Sequence, residues 1–392
     1  MIKRDSLASF VLGLSLVAIV SVLSAQQAPA TARAQASLRQ RLQAKFEELH
    51  KGGSFPGGTA GFVMADGTSF GLAVGVSDRT SGRLMKVTDR LLLGSVGKTY
   101  VSAVALQLVH EGKIALDDPI SKYLGGEPWF KRVPNAARAT IRHLMTHTSG
   151  LVRYEFNPGF TADLRANPDK VWSPVDRLTY LFDQPPPFPP GEGWEYSDTN
   201  YIVLGMIIEQ AGGGAYYDQL RQRILQKHGL SDTVPADSRV VPGLVQGYAG
   251  EKNSFGLPDE MIQDGKFAVN PQFEWTGGGL AVTALDLARW AKLLYEGRVT
   301  DESLMDDLLD GVPARLGPET RYGLGVIIRP TPHGVSYGHS GFMPGYLTDV
   351  MYFPQLKTAI AVQVNSSAPR STGRPLSRFL TEFAGIISSR PE

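Results

Sequence analysis

The chain has 392 residues, 42% apolar and 20% charged, a globular composition with length for one large domain or two. Lysine and arginine number 39 against 38 acidic residues, a balance that gives nucleic acid or another polyanion no footing as a partner. There is no cysteine, which excludes disulfides, thiol catalysis, thiolate metal sites and a cysteine-linked lipid anchor and leaves the core to hold the fold alone.

The first residues read as an export signal. Lys3 and Arg4 make a basic start, Leu7 to Leu23 is apolar, and Ser24-Ala25 offers a small-residue cleavage site. Residues 1–25 are thus expected to be removed, which places the protein in the periplasm or outside the cell. The other reading is an uncleaved anchor, since Leu7 to Ala25 spans 19 residues and just reaches across a bilayer. Loss of residues 1–25 leaves 37 charges of each sign. Residues 26–36 are Ala/Gln/Thr-rich and are expected to be a flexible linker. Leu38, Leu42, Phe46 and Leu49 then repeat at helical spacing. Thr59 to Ala65 and Ser69 to Val76 are β-prone runs joined by Asp66-Gly67, a hairpin signal.

Next comes Leu92-Leu93-Gly94-Ser95-Val96-Gly97-Lys98-Thr99, followed by the apolar run Tyr100 to Val109 and a stop at Gly112. This predicts a helix from Ser95 to Glu111. Ser95 and Lys98, three apart, share one face. A serine there also lies beside free N–H groups at the positive end of the helix. From Ile114 to Phe273 the helical runs are Ile141 to Met145, Val175 to Phe182, Tyr201 to Ala211 and Tyr216 to Gln226, separated by Pro- and Gly-rich loops. Gln184 to Gly193 carries five prolines and predicts a stiff arm. It leads straight into Trp194-Glu195-Tyr196, so a positioning role is expected. Leu280 to Glu296 reads as a helix. Tyr322 to Arg329, Val335 to His339, Leu347 to Phe353 and Thr358 to Asn365 read as strands, and Leu376 to Ser388 as a closing helix. Strands at both ends around a helical middle predict a discontinuous α/β (α+β) domain, residues 37–105 and 275–392, with an all-helical insert at 106–274.

Three rival chemistries fail on context. Gly97-Lys98-Thr99 matches the end of a phosphate-binding loop, but Leu92 stands where that loop needs glycine. Gly334-Val335-Ser336-Tyr337-Gly338 matches a nucleophile elbow but lacks its strand-turn-helix setting. His143 and His147 are four apart, but Leu144 stands where a zinc protease carries glutamate. Tyr196-Ser197-Asp198 and His339-Ser340-Gly341 are each ordinary alone. Their order behind Ser95-x-x-Lys98 is not.

Taken together these motifs resemble the serine hydrolases of the β-lactamase and penicillin-binding fold, in particular the class C β-lactamase, D-alanyl-D-alanine carboxypeptidase and related esterase group. That group is marked by S-x-x-K, Y-x-N and a K-T-G or H-x-G box. Leu116-Asp117-Asp118-Pro119, Leu144 to Leu151 and Thr276-Gly277-Gly278-Gly279-Leu280 look like its supporting segments, and the resemblance runs over residues 38–388. It implies an antiparallel sheet flanked by helices, with the helical domain beside it and the active site between. It implies Ser95 as nucleophile, Lys98 and Tyr196 as proton-exchanging partners, and the backbone N–H groups of Ser95 and Phe342 as oxyanion hole. Asp198, His339, Ser340 and Gly341 would support substrate, with no metal and no cofactor. The expected partner is a small molecule or peptide. A monomer is expected, touching membrane only through an uncleaved signal.

Two departures stand out. His339 replaces the lysine usual in β-lactamases and grips a substrate carboxylate less firmly. Asp198 replaces asparagine and favours a charged Lys98. Lys98 is then an electrostatic partner and Tyr196 the base. Specificity is expected in the loops Phe156 to Ser173 and Phe255 to Phe273. A non-catalytic binding or sensor module is the alternative.

Overall fold

The computed structural model describes residues 30–389. The export signal at residues 1–25 lies outside the described residues. In chain order the elements that position the site are α1 (Ala30–Lys51), β1 (Gly57–Val63), β2 (Ser69–Gly75), α2 (Lys98–His110), α3 (Asp198–Gly212), α4 (Ala284–Tyr295), β3 (Val312–Pro313), β4 (Arg321–Tyr322), β5 (Ile327–Thr331), β6 (Gly334–Met343), β7 (Tyr346–Phe353), β8 (Thr358–Val364) and α5 (Leu376–Ser388). The eight strands form one sheet in the order β2-β1-β8-β7-β6-β5-β4-β3. Every neighbouring pair is antiparallel. No helix among the described residues is long and apolar enough to cross a membrane.

The sheet is covered on both faces, and β8 shows why. Successive side chains of a strand point to opposite faces. Ile360, Val362 and Val364 join Phe46 of α1 and Phe379 and Phe383 of α5 in one core. Ala359 and Ala361 join the other core, with α2, α3 and α4. Small residues on that face let α4 lie close on β1 and β8. The first core is tied by edge-to-face rings, Phe46 on Phe383 at 5.9 Å and Phe62 on Phe383 at 5.3 Å. Cutting Phe383 to alanine would cost about 3–5 kcal/mol.

Helix α2 is apolar around nearly its whole girth, the pattern of a fully enclosed helix. Lys98 to Leu106 and Leu108 are all buried. Tyr100 stacks flat on Trp290 of α4, with centroids 4.0 Å apart, and the Trp290 indole N–H donates to Thr99 Oγ1 at 2.8 Å. The helix that follows Ser95 is thereby clamped from behind.

Five segments differ from expectation. The insert expected to be all-helical at 106–274 carries short strands: Val234–Pro235 pairs with Leu280–Ala281, and Ile262–Gln263 pairs with Lys266–Phe267 across an Asp264-Gly265 turn. The spacer expected at residues 26–36 is helical from Ala30 on, because its alanine, arginine and glutamine are good helix formers and neither Gly nor Pro interrupts them. Leu280–Val282 is a strand paired with Leu91–Leu92, not the first turn of a helix. The helix α4 begins after it, where the Thr283 hydroxyl accepts from the Asp286 N–H. The run Tyr322 to Arg329 breaks into β4 and β5 around Gly323 to Val326. Strand β6 does not stop at His339. Its pairing with β7 continues to Met343 opposite Tyr346, so His339-Ser340-Gly341 lies within the strand.

Candidate active site

Ser95 sits in a tight 3₁₀ turn, Gly94–Gly97, that feeds α2. Two glycines let β6 press against this turn. Gly94 has φ +52°, where only glycine is at ease, and a Cβ there would collide with the Phe342 backbone. A Cβ on Gly341 would collide with the Leu93 carbonyl. The main chain of Phe342 is thus held beside the main chain of the turn that carries Ser95.

Lys98 is completely buried. Its ammonium has three protons and three acceptors: Ser95 Oγ at 3.0 Å, the Gly277 carbonyl at 2.7 Å and Asp198 Oδ1 in a short ion pair. Burial alone would strip the charge. Asp198 first, then Tyr196 and Glu274, more than offset it, so the pKa of Lys98 lies above the usual lysine value. With every Lys98 proton pointing outward, Ser95 Oγ is an acceptor toward Lys98 and keeps its own proton free for another partner.

Tyr196 is delivered by the proline arm, which is tied down by backbone bonds. Gly191 N–H donates to the Thr148 carbonyl at 2.8 Å and Glu195 N–H to the His147 carbonyl at 3.1 Å. The Asn135 amide donates to the Phe188 carbonyl at 2.8 Å. The Tyr196 ring then lies with its centroid 5.0 Å from Lys98 Nζ. Its hydroxyl is buried and makes no hydrogen bond among the described residues. Burial pushes the phenol up to about 12, with Lys98 and Ser95 pulling the other way.

Behind Tyr196 runs a chain of neutral groups. His147 packs on the Tyr196 ring at 4.1 Å. His147 Nδ1 accepts from the Ser197 N–H at 3.2 Å and the Asn200 amide at 2.9 Å, so its proton is on Nε2. That Nε2–H donates to the Tyr322 hydroxyl at 3.2 Å, and Tyr322 donates to His339 Nε2 at 2.9 Å. His339 Nδ1–H then donates to the Ser340 carbonyl at 2.6 Å. Burial, reinforced by Lys98, pushes His339 down to about 3 and His147 well below its usual value. Both rings are neutral, and each tautomer is set by its partners.

In front of Ser95 lies a pocket of about 280 Å³ lined by Ser95, Arg153, Glu155, Phe156, Asp198, Ser254, Phe255, Glu274 and Phe342. Its charged floor is acidic. Arg153 donates to Glu155 Oε1 at 2.6 Å. Burial, then Asp198, raises Glu155 to about 7 and Glu274 to about 8. Asp198 itself stays below the usual carboxylate range: burial raises it, and Lys98 and Arg153 outweigh that.

Of the residues singled out in the sequence, Ser95, Lys98, Tyr196 and Asp198 converge, with Phe342 and Gly341 against the same turn. His339 stands behind Tyr196, 1% exposed, with both ring nitrogens engaged inside the protein. The Ser340 hydroxyl donates to Asp349 at 2.6 Å and accepts from Arg329 at 2.7 Å, so it belongs to a pair under the strand. Ser336 is buried in mid-strand and donates to the Arg329 carbonyl. His143 caps its own helix through the Thr140 N–H and does not share a network with His147. Thr99 is bound to Val96 and Trp290. Sequence reasoning missed Tyr322, Arg153, Glu155 and Glu274. Glu155 and Glu274 stand one residue outside the two loops expected to set specificity, and that is the one signal that could have found them.

Residues 42–383 match the family described as Beta-lactamase. A penicillin-binding protein of Bacillus subtilis (strain 168) is 28% identical over 336 residues, 82% of this chain and 71% of that protein. Esterase EstB of Burkholderia gladioli is 32% identical over 205 residues, 50% of this chain and 51% of its own length. The crystal structure of D-amino acid amidase from Ochrobactrum anthropi SV3 complexed with D-phenylalanine superposes with a TM-score of 0.77 at 22% identity, covering 90% of this chain and 100% of that one. This last likeness is one of fold.

Proposed function

The chain belongs to the Beta-lactamase family, and on that premise we propose that it is an exported serine hydrolase that forms an acyl-enzyme on Ser95. The substrate is an amide, β-lactam or ester, with a D-amino-acid peptide or small ester favoured. The relatives named for penicillin binding and for esterase activity support that range, and the signal-like residues 1–25 support export.

The observation that carries the reading is the saturation of Lys98. An ammonium with all three protons donated is no base. The Ser95 proton is then left for Tyr196, whose hydroxyl has no other partner. With a resting pKa of about 12, Tyr196 acts best as a relay. It takes the Ser95 proton as Oγ attacks the carbonyl carbon and hands its own to the leaving nitrogen or oxygen, so no free phenolate has to form. Lys98 stabilises the negative charge that develops on the phenol oxygen. The N–H groups of Ser95 and Phe342 receive the oxyanion. Water, deprotonated by the same relay, releases the acyl group. His339 is neutral and engaged, which leaves it no hold on a substrate carboxylate and makes β-lactam hydrolysis a side activity.

The test is covalent labelling with a fluorescent penicillin and with a fluorophosphonate, followed by mass-spectrometric mapping. Both probes on Ser95 support peptidase or lactamase chemistry, and fluorophosphonate alone supports an esterase or amidase. Absence of label at Ser95 overturns the enzyme reading.

A further inference from the structure

We infer that the pocket in front of Ser95 is built for a substrate with a protonated primary amine close to the scissile carbonyl, received by Glu155 and Glu274. This rests on the acyl-enzyme reading of Ser95.

Three carboxylates, Asp198, Glu155 and Glu274, line the pocket with Ser95. Asp198 is taken by Lys98, and Glu155 Oε1 by Arg153. Glu155 Oε2 is buried with no hydrogen-bond partner among the described residues, in a side chain only 5% exposed. Glu274, 6% exposed, has no cation bonded to it among the described residues. The nearby Arg177 spends its donors on the carbonyls of Phe273, Trp172 and Gln272. The floor of the pocket thus carries one carboxylate more than the two cations paired with it, Lys98 and Arg153, and one buried oxygen with no hydrogen-bond partner among the described residues. A buried unpaired carboxylate is costly and holds a proton instead. The upward shifts of Glu155, faced by Asp198 and Arg153, and of Glu274, faced by Asp198, Lys98, Glu155 and Arg177, agree with this. An ammonium brings the missing charge and three donors.

The walls say what accompanies the amine. Phe255 stacks on Phe342 at 6.2 Å, and Phe156 opens to solvent, 62% exposed. The volume is below that of pockets for drug-sized ligands and suits an amino-acyl group with an apolar side chain. The cations near the pocket are held by the protein: Lys98 is saturated and Arg153 is paired through Nε with Glu155, while His339 is neutral.

The test uses the Ser95→Ala protein, so that binding is read without turnover. Calorimetry at about pH 6.5, where an α-amino group is protonated, compares D-phenylalaninamide, 3-phenylpropanamide without the amine, and N-succinyl-D-phenylalaninamide with a negative charge. The amine should bind at least about tenfold more tightly than the neutral amide, as a charge-assisted hydrogen bond implies, and the anion most weakly. Adding Glu274→Gln should shrink the amine's advantage and leave the neutral amide unchanged. Equal affinities, a preference for the anion, or no binding by any of the three overturns the inference. The wild-type labelling experiment stands apart: Ser95 labelled by fluorophosphonate together with equal amide affinities sinks this inference and leaves the acyl-enzyme reading standing.

Discussion

Two buried polar clusters meet at Tyr196, and they are built on opposite plans. On one side His147, Tyr322 and His339 form a chain in which every ring nitrogen and the hydroxyl have a partner and no group is charged. On the other side Lys98, Asp198 and Arg153 are charged, Glu155 and Glu274 are pushed toward their protonated forms by burial and by Asp198, and one carboxylate oxygen has no hydrogen-bond partner among the described residues. A fully satisfied neutral network holds geometry, whereas a charged one with an unmatched acceptor awaits something from outside. The same tyrosine is therefore fixed from behind and poised from the front.

The largest break in this contrast should come from Lys98→Met. It leaves Asp198 as an uncompensated buried charge, which should cost about 3–5 kcal/mol in a urea melt. Turnover should fall by about 10³-fold, within the range for loss of proton-transfer machinery. Asp198→Asn should be milder, about 10²-fold in kcat. Asp198 is the main charge opposing the burial of Lys98, so without it the ammonium loses its proton at lower pH. The alkaline limb of the pH–rate profile should move down, and an unmoved profile would refute the assigned role of Lys98.

On the neutral side, Tyr322→Phe removes both the acceptor for His147 and the donor for His339. A stability loss of about 1–3 kcal/mol is expected, with kcat reduced by less than in Asp198→Asn. If kcat falls further than that, the neutral chain does more than hold Tyr196. The effect with the least bearing on turnover is on pH-dependent stability. Glu155 and Glu274 rise from 4.5 to about 7 and about 8 on folding. Between these values the folded chain holds protons that the unfolded chain has released, so stability falls as pH rises from about 4.5 to about 8. Thermal melts across that window should show a declining Tm, and Glu274→Gln should flatten its upper part.

What was legible in the sequence follows the reach of local geometry. Ser95 and Lys98 are one helical turn apart, and Tyr196 and Asp198 are neighbours at a helix start. Short-range rules speak to such pairs. Tyr322 comes from the short strand β4 and Glu155 and Glu274 from separate turns, and only tertiary closure brings them to the site. The same limit explains Leu280–Val282, an apolar run that becomes a strand because Leu91–Leu92 waits beside it. His339 was legible as a member of the box and illegible in its use, because its state depends on Tyr322.

The sheet order has a further consequence for how the molecule comes into being. Strand β1 lies between β2 and β8, and the Gly57 N–H is met by the side chain of Asn365, 308 residues along. A chain emerging from its N-terminus can make the β1–β2 hairpin early, but that hairpin has no central neighbour until the last strand is synthesised. Contacts of such long range are slow to form. The turn that carries Ser95, pressed between β6 and α2, is thus among the last places to take shape. A chain cut short before Thr358 would carry every proposed proton-transfer residue and still have no assembled site.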